Sequence, residues 1–320
     1  MRSEIIPADG GLRLRPAGPG GRFVIERDDA VVGTLELRGT GQGAGEITFW
    51  THPAARRSGV ATGALRAFTE WAHRQGLERL DLVTGVENTP AQRVALAAGF
   101  LREGIRRGGA SNGASREDQV VWGRLVGDPP GPTQRALPDL PGGELTDGVA
   151  ILRPLGPEHI DADFALSNLP DVAQWSVPPG TRTRRDIERR CTHAASEWLA
   201  GNRADFAIID ADTGGFAGGI GLYNELETGQ AMIGYSLVPA FRGKGLATRS
   251  VRLVTGWAFD VGIKRLIAGT NPTNVGSQRV LEKAGFVREA VTRSRLPAPD
   301  GKRADDVLYA LLPGDGTGDS

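Results

Sequence analysis

Residues 237–248 read Leu-Val-Pro-Ala-Phe-Arg-Gly-Lys-Gly-Leu-Ala-Thr, and residues 282–286 read Glu-Lys-Ala-Gly-Phe. Ahead of the first run, Ile233, Tyr235 and Leu237 alternate with other residues, which predicts a strand that ends at Pro239. A helix is predicted from about Leu246, because apolar residues follow at spacings of three and four: Val251, Val254, Trp257, Ala258 and Val261. The segment 236–286 is therefore expected to contain a strand, a glycine-bearing loop and a helix.

This order of elements is typical of an anion site. The first turn of a helix offers unpaired N–H groups and the positive end of the helix dipole, and Gly243 and Gly245 would let a phosphate approach the backbone closely. Arg242 and Lys244 add positive charge. The loop contains neither G-x-x-x-x-G-K-[ST] nor G-x-G-x-x-G, so it is neither a Walker loop nor a dinucleotide fingerprint. Taken alone, it also fits a surface turn capped by cations.

The chain contains this segment twice. A shift of 186 residues places residues 53–107 on residues 239–293 without a gap, and 24 of the 55 positions are identical. The identical pairs include Pro53/Pro239, Arg56/Arg242, Gly59/Gly245, Ala61/Ala247, Trp71/Trp257, Asn88/Asn274 and Phe100/Phe286. A period of this length is too long for a solenoid and indicates a duplicated domain.

The repeated motifs resemble those of a known family. Arg-x-x-Gly-x-Ala, at 242–247 and again at 56–61, is similar to the acetyl-CoA pyrophosphate loop of the GNAT N-acetyltransferase superfamily. Asn-x-x-Ser at 274–277 and Glu-Lys-x-Gly-Phe at 282–286 are similar to its RimJ/RimL-type branch, the ribosomal-protein N-terminal acetyltransferases. Leu-Arg-Pro-Leu at 152–155 and Ile-Gly-Tyr at 233–235 fit that branch as well. The resemblance implies two mixed α/β domains, each with a central mixed sheet flanked by helices.

The resemblance also implies acetyl-CoA as co-substrate, with contacts in both copies. Backbone groups of Leu237 and Val238 would pair with the pantetheine arm, and Asn274 would assist there, although asparagine also suits a helix N-cap. The expected pyrophosphate loop comprises Arg242, Gly243, Lys244, Gly245, Leu246, Ala247 and Thr248. The corresponding set in the first copy is Arg56, Arg57, Ser58, Gly59, Val60 and Ala61, with Asn88 in the place of Asn274.

Ser277 is the candidate general acid. In the RimJ/RimL-type branch a serine at this place lies close to the CoA sulfur, where it could protonate the leaving thiolate; the alternative is an ordinary polar residue of a first helical turn. The tyrosine that many GNAT enzymes carry four positions later is absent, because Leu281 stands there in the second copy and Ala95 in the first.

The general base is harder to assign. The strand glutamate that many GNAT enzymes use is Glu46 in the first copy but Met232 in the second, whereas the first copy has Ala91 in place of Ser277. Direct attack on a thioester needs chiefly proximity and a deprotonated amine, and an α-amine with a pKa of ~8 requires only a modest proton acceptor. Glu225, with Glu227 beside it, is the nearest replacement carboxylate, and the alternative for both is a solvated hairpin.

The composition argues against several other classes of protein. The 38 basic residues balance the 38 acidic ones, so nothing indicates binding to a nucleic acid or a membrane. The single cysteine, Cys191, excludes an internal disulfide and suits a reducing cytoplasm. Four scattered histidines predict no metal site. Neither a membrane-spanning run nor a signal-peptide core is evident, so a soluble cytoplasmic protein is expected.

Four segments are predicted. They are a shortened GNAT-like domain at 1–126, a Pro/Gly linker at 127–136, a complete domain at 137–313 and a disordered tail at 314–320. Residues 1–10 are expected to be loose, and the glycine-rich run 39–45 to connect two strands of a hairpin. In the second copy a long helical stretch from 157 to about 201 would form one wall of the acceptor groove, with Trp175 and the arginine-rich run 182–190 on it. The first copy lacks that wall.

The sequence therefore predicts an N-acetyltransferase. Its second domain would move an acetyl or other short acyl group from CoA to a primary amine by direct attack. The acceptor could be a protein N-terminus or a small-molecule amine. A competing interpretation is a CoA-binding sensor or scaffold without turnover, which the missing tyrosine and strand glutamate favour. The sequence leaves both a monomer and a homodimer open.

Overall fold

The computed structural model describes residues 4–18, 20–111, 113, 115–298 and 301–315. The chain forms two compact units, Met1–Gln134 and Arg135–Ser320. Most of the segment predicted as a linker lies in the first unit, where Thr133 donates hydrogen bonds to the carbonyl oxygens of Leu96 and Phe100, both at 2.9 Å. Of the tail predicted at 314–320, residues 316–320 lie outside the described residues.

The first unit is a sheet with two helices. Its strands are β1 (Ile6–Ala8), β2 (Leu12–Pro16), β3 (Arg22–Arg27), β4 (Ala30–Gly41), β5 (Ala44–Thr51), β6 (Arg79–Gly85), β7 (Leu101–Ser111) and β8 (Arg116–Leu125), and its helices are α1 (Val60–Arg74) and α2 (Thr89–Ala97). The expectation that residues 1–10 are loose is wrong for β1, because Ile6 is buried and pairs with Leu14 of β2.

The second unit has the same sheet and three additional helices. Its strands are β9 (Leu145–Thr146), β10 (Ala150–Pro154), β11 (Arg203–Asp210), β12 (Phe216–Glu225), β13 (Gln230–Leu237), β14 (Arg265–Thr270), β15 (Val287–Pro297) and β16 (Arg303–Leu311). Its helices are α3 (Ile160–Ser167), α4 (Pro170–Trp175), α5 (Arg184–Leu199), α6 (Leu246–Asp260) and α7 (Val275–Lys283).

The two sheets have one topology. The strand order is β1-β2-β3-β4-β5-β6-β8-β7 in the first unit and β9-β10-β11-β12-β13-β14-β16-β15 in the second. Neighbouring strands are antiparallel except for β5 with β6 and β13 with β14. Each parallel pair is joined by a helical crossover, α1 or α6, as parallel neighbours require. The duplication inferred from the sequence is thus a duplication of fold.

Each core is built around three aromatic rings. In the first unit Phe23, Phe68 and Trp71 have ring centroids 5.1–5.4 Å apart. The second unit keeps the equivalents of Phe23 and Trp71 as Phe206 and Trp257, and Trp198 from α5 completes the group at 5.1 and 5.4 Å. Trp198 of the added helix α5 thus joins the core of the second unit, where Val254 stands in the place of Phe68. These helices are part of the core and not an appendage.

The described part of the first unit has no counterpart of these additional helices. In the described part of the segment between β2 and β3 there is no helix. The face of its sheet turned away from α1 and α2 carries ion pairs between strands. They are Arg15–Glu26 at 2.8 Å, Arg22–Glu36 and Arg38–Glu46 at 3.2 Å, and Arg79 with Asp81 and Glu103 at 2.6 Å. Charged side chains thus occupy the face on which the second unit packs α3 and α5.

The sequence also predicts a hairpin at 39–45 and a helical stretch from 157 to about 201. The hairpin predicted at 39–45 is confirmed: β4 and β5 are joined through Gln42 and Gly43, both at positive φ. The helical stretch predicted from 157 to about 201 is divided into separate helices, since Pro170 starts a new helix and Pro178 and Pro179 follow its end. Proline lacks the N–H and clashes with the preceding turn, so the stretch divides into α3, α4 and α5.

Candidate active site

A gap opens between the parallel strands β13 and β14. Their pairing runs through Gln230↔Arg265, Ala231↔Leu266 and Met232↔Ile267, and goes no further. Beyond Met232, β13 stays paired with β12 on its other edge as far as Leu237. The edge of β13 that faces this strand gap therefore presents backbone groups without a strand partner among the described residues. Such an edge can pair with an extended ligand that carries amide groups.

The glycine loop lies at the end of β13, between that strand and α6. Gly243 and Gly245 have φ of 75° and 80°, in the left-handed region that disfavours side chains, and a Cβ at either would meet nothing within 4 Å. Among the described residues no side chain caps α6 at its N-terminus. Its first N–H groups are thus directed at open space, and no side chain of either glycine obstructs the approach of an anion.

The cations of this loop have different roles. Arg242 donates to the carbonyl oxygen of Leu237 at 2.8 and 3.0 Å and also pairs with Asp171 of α4. This pairing holds the pKa of the Asp171 carboxyl below its ordinary value. Lys244 lies over the ring of Phe241, with its Nζ 5.3 Å from the centroid. Arg242 therefore braces the loop, and Lys244 is left to contribute positive charge.

The predicted pantetheine contacts at the end of β13 are largely committed elsewhere. The Val238 N–H donates to Ala217 at 2.9 Å, and its carbonyl oxygen accepts from the Phe241 N–H at 3.0 Å. The Leu237 carbonyl oxygen accepts from Arg242. Backbone groups that have no strand partner in the described parts of the chain lie instead just upstream, along residues 233–236 of the edge facing the strand gap.

The loop of the first unit has similar geometry. Gly59 has a φ of 80°, α1 begins at Val60, and Arg56 donates to the Thr51 carbonyl oxygen at 3.4 Å, as Arg242 does to that of Leu237. Arg57 stands in place of Gly243 with a φ of 57°, and the Ser58 hydroxyl donates to the Ala55 carbonyl oxygen at 2.8 Å. The backbone path is shared, although the Arg57 side chain replaces the open position of Gly243.

Tyr235 and Ser277 meet beside the strand gap. The Tyr235 hydroxyl lies 3.1 Å from the Ser277 hydroxyl and donates to the Ser277 carbonyl oxygen at 3.2 Å. Burial raises the pKa of Tyr235 to about 12, against the opposing effect of the hydrogen bond from Ser277, so the phenol stays protonated at neutral pH. Asn274 caps α7 by accepting from the Ser277 N–H at 3.2 Å, which confirms the N-cap alternative.

The structure does not bring Glu225 to Ser277. Glu225 is exposed, pairs in register with Gln230 and accepts hydrogen bonds from Gln230 and Thr228. Tyr235 lies five residues further along β13, or about 17 Å at strand spacing. Its neighbour Glu227 belongs to the same hairpin turn. In the first unit, Glu46 accepts from Arg38 at 3.2 Å, and Asn88 caps α2 by accepting from the Ala91 N–H.

The added helices cover one end of the sheet through a buried charge cluster. Arg190 of α5 lies 3.2 Å from Asp163 of α3 and 3.4 Å from Asp205 of β11, and both aspartate side chains are 2% exposed. Burial raises the pKa of Asp163, and the charge of Arg190 opposes that shift. Arg203 pairs with Asp205 and stacks on Tyr223 at 4.4 Å. In the predicted arginine-rich wall, Arg190 thus anchors the helices, while Trp175, at the end of α4, is partly exposed.

Three residues of this region are not predicted as site residues from the sequence: Tyr235, Asp171 and Asp306. Tyr235 was counted only as part of a strand pattern and a motif, and its equivalent in the first unit is Phe49. The repeat does carry a signal for this pair: where the second unit has Tyr235 and Ser277, the first unit has Phe49 and Ala91, so both hydroxyls are absent together. Asp171 is 71 positions from Arg242, so only the fold reveals their contact. Asp306, a fully buried carboxylate on β16, is adjacent to the exposed Gly269.

Two family models match the chain. Residues 150–287 match the acetyltransferase (GNAT) domain, and residues 5–100 match the acetyltransferase (GNAT) family. A Bacillus subtilis protein named "Putative ribosomal N-acetyltransferase YdaF" is 32% identical over 169 residues, which are 51% of this chain and 90% of that protein. The chain belongs to the GNAT family. It carries two GNAT units in tandem and is thereby assigned to a family of acyltransferase enzymes.

Further relatives extend the comparison. The Bacillus subtilis protein named "Probable N-acetyltransferase YjcK" is 39% identical over 115 residues, which are 34% of this chain and 62% of that relative. Among solved structures, Mycobacterium smegmatis RimJ in complex with CoA-disulfide aligns with a TM-score of 0.47 and 23% identity, over 55% of this chain and 88% of that one.

No helix in the described residues is both long and apolar enough to cross a membrane. No three or more His, Cys, Asp or Glu side chains in the described ranges are grouped so that they could hold a metal ion.

Proposed function

We propose that the second unit transfers an acetyl group from acetyl-CoA to a primary amine. The observation that carries the proposal is the course of β13: one strand lines the strand gap, contributes Tyr235 to the pair with Ser277, and runs into the glycine loop at the N-terminus of α6. A ligand with an anionic end and an extended arm could follow this course. The GNAT assignment supports acetyl-CoA as that ligand.

The residues present fit the two parts of CoA. The pyrophosphate would be held by the backbone amides of Leu246, Ala247 and Thr248, with Gly243 and Gly245 allowing close approach and Lys244 supplying charge. The pantetheine arm would pair with the edge of β13 at residues 233–236. Arg242 keeps the loop in position from outside through its bonds to Leu237 and Asp171.

The acyl transfer then needs an acid for the leaving sulfur. Tyr235 stays protonated with its hydroxyl 3.1 Å from that of Ser277, so it could donate to the Ser277 oxygen as the Ser277 hydroxyl proton passes to the thiolate. The amine attacks from the face of the sheet that the side chains of Tyr235 and α7 do not occupy. Proximity and orientation supply the rest of the rate enhancement.

We assign the first unit a structural or binding role. It keeps the loop geometry at Gly59 but has Phe49 and Ala91 in place of Tyr235 and Ser277, and its Glu46 is paired with Arg38. It also lacks the helices that would form an acceptor wall. The likeness to a protein named as a ribosomal N-acetyltransferase makes a protein N-terminus the first acceptor class to test.

The cofactor half of the proposal is tested by calorimetry with acetyl-CoA on the full chain and on a matched pair, Gly59→Ala and Gly245→Ala. Both glycines have a φ of 80° and open surroundings, so both substitutions should lower stability equally, by about 1 kcal/mol. Loss of binding in Gly245→Ala alone supports a single site in the second unit. Loss of one of two sites in each variant assigns a second site to the first unit, and no binding by the parent chain contradicts the proposal.

The chemical half is tested by following thiol release from acetyl-CoA with a panel of amines. The panel comprises hexapeptide amides beginning with Ala or Ser, alaninamide, and an Nα-acetyl-lysine amide. Release that depends on one of the α-amines supports the proposal. Tight binding without release for any amine would support the CoA-binding sensor instead.

A further inference from the structure

The strand gap is unobstructed on one face of the sheet, here called the open face: the face turned away from α6 and α7. The residues before and after Gly234 on β13, Ile233 and Tyr235, lie against the core with those helices, and so do Leu266 and Ala268 of β14. Gly234 and Gly269 therefore point to the open face, each two residues beyond the last parallel pair, and both are exposed. An acceptor can reach the gap there without meeting a side chain of either strand.

The carboxylate of Asp306 lies at the rim of this opening. β16 pairs with β14 through Gly269↔Leu308 and Thr270↔Val307, and Val307 belongs to the core, so Asp306 points to the open face. A Cβ built on Gly269 would be 2.6 Å from both carboxylate oxygens. The carboxylate thus occupies the space above Gly269, directly beside the strand gap.

Asp306 is buried with half of its hydrogen-bonding capacity unused. Its side chain is 0% exposed, Oδ2 pairs with Arg295, and Oδ1 has no hydrogen-bond partner among the described residues. Burial raises the pKa of this carboxyl, while Arg295 and the Thr270 N–H oppose the rise. A carboxylate that served only to fasten the β15–β16 hairpin would gain nothing from being buried, because the Arg295 side chain is 45% exposed and could be paired at the surface.

The first unit provides an internal comparison. There Thr84 pairs with Val120 as Thr270 pairs with Val307, so the equivalent of Asp306 is Gln119. The shift of 186 residues hides this equivalence, because the hairpin of the second unit is one residue longer. At the three equivalent positions the first unit carries residues that can neither take up a proton nor protonate a thiolate: Phe49, Ala91 and Gln119.

We propose that Asp306 binds the ammonium group of the acceptor through Oδ1 and takes up the proton that the acceptor must lose before attack. This inference rests on the acetyl transfer proposed above. The ammonium ion gives one proton to Oδ1, and the nitrogen lone pair forms the C–N bond to the acetyl carbon. The C–S bond breaks with its electron pair on sulfur, and the second nitrogen proton reaches the sulfur by way of the Ser277 hydroxyl. Asp306 returns its proton to solvent, so the products are an amide, the CoA thiol and one proton.

Few charged groups face Asp306 in the described part of the chain. Arg295 of β15 is its cation, and the residues of β14 beside it, Gly269 and Thr270, are uncharged. Asp305, its neighbour on β16, accepts from the Ser294 N–H at 2.9 Å and so is engaged with the hairpin backbone. Asp305→Asn removes the same charge one residue away and keeps that acceptor, which makes it a matched control.

The test measures thiol release on the full chain as a function of pH, with acetyl-CoA and the Ala-initiated hexapeptide amide, or the best amine of the panel. Asp306→Asn should lower kcat/KM by about 10²–10⁴-fold and abolish its acid limb, with the Kd for acetyl-CoA unchanged within twofold. Asp305→Asn should match the parent. Arg295→Gln should stay active with its acid limb displaced to higher pH, because the cation that favours the ionised carboxylate is gone.

Three outcomes would overturn the inference. The first is a parent-like pH profile in Asp306→Asn while the parent chain is active. The second is an equal loss of activity and thermal midpoint in Asp306→Asn and Arg295→Gln, which would make the pair a structural fastening. The third is a parent chain that releases no thiol with any amine, which removes the proposed function as well and is recognised by the parent alone. Should Asp306→Asn not fold, Asp306→Gln, which introduces the side chain that the first unit carries, takes its place.

Discussion

The guanidinium of Arg242 pairs with the carboxylate of Asp171, so a residue of the glycine loop holds the first turn of α4. The same guanidinium donates two hydrogen bonds to the Leu237 carbonyl oxygen at the end of β13. In the first unit Arg56 makes the corresponding bond to Thr51, and the residues described there include no counterpart of α4. The loop that we assign to the cofactor and the helix that we assign to the acceptor wall are thereby joined by one side chain.

Asp171→Asn should loosen α4 without unfolding the chain. Both members of the pair are partly exposed, so the free energy of unfolding should change by less than about 1 kcal/mol. Hydrogen exchange measured by mass spectrometry should accelerate in peptides from 168–176 and stay unchanged in α5. Unaltered exchange in α4 would show that the pair does not hold the helix.

Tyr235→Phe, which introduces the first unit's residue, should lower kcat by roughly 10-fold and leave acetyl-CoA affinity unchanged. The substituted ring still packs against the core, but Ser277 loses the neighbouring hydroxyl that could donate to it during proton transfer. Since Tyr235 is proposed to act through Ser277, the double variant with Ser277→Ala should be no slower than Ser277→Ala alone. Tyr309→Phe is the control, because the Tyr309 hydroxyl donates to Glu282 instead. Additive losses in the double variant would contradict the prediction that Tyr235 acts through Ser277.

Asp306 and Asp171 should give opposite dependences of stability on pH. The folded-state pKa of Asp306 is raised, so its contribution to stability is complete below its unfolded pKa of about 4 and is lost as the pH rises. Asp306→Asn should therefore gain stability relative to the parent between pH 4 and pH 8. The folded-state pKa of Asp171 is lowered, so its contribution to stability is complete above its unfolded pKa of about 4 and is lost as the pH falls below that value. The stability of Asp171→Asn relative to the parent should therefore fall as the pH rises through the acid range up to about 4. Urea unfolding above and below pH 4 measures the two differences, and a shared sign would refute this assignment of shifts.

Arg190→Met should be among the most destabilising substitutions in the second unit. It leaves the carboxylate of Asp163 buried without its cation, which typically costs about 3–5 kcal/mol, whereas Arg203 still pairs with Asp205. Adding Asp163→Asn should recover much of the loss. Arg184→Met, in an exposed ion pair of the same helix, should leave the urea midpoint unchanged. Equal effects of Arg190→Met and Arg184→Met would refute a structural role for the buried cluster.

Local chemistry explains what the sequence could predict. The glycine loop, the Asn274 N-cap and the turn through Gln42 and Gly43 depend on nearby residues, and all are visible in the printed chain. Strands β7 and β15 were not foreseen. Much of their surface is exposed, and β15 is exposed along most of its length, so neither strand shows a clear alternation of apolar residues.

Long-range contacts explain what was missed. Asp305 and Asp306 are indistinguishable in the sequence, and only the pairing of β16 with β14 places one of them above Gly269. Glu225 is predicted as the general base because it precedes β13 in the chain. It lies at the start of that strand, however, and Tyr235 lies five residues further along it. Proximity along a sequence is a poor guide to a site where a strand separates the candidates.

The ion-paired face of the first unit has an evolutionary consequence. Helices inserted between β2 and β3 would need an apolar sheet face to pack against. In the first unit that face carries the ion pairs Arg15–Glu26 and Arg38–Glu46. An inserted segment would bury those charges, and replacing the charges without the insertion would expose apolar strands to water. Each of these two changes is thus harmful without the other. The surface chemistry of the first unit therefore opposes the gain of such helices in single steps.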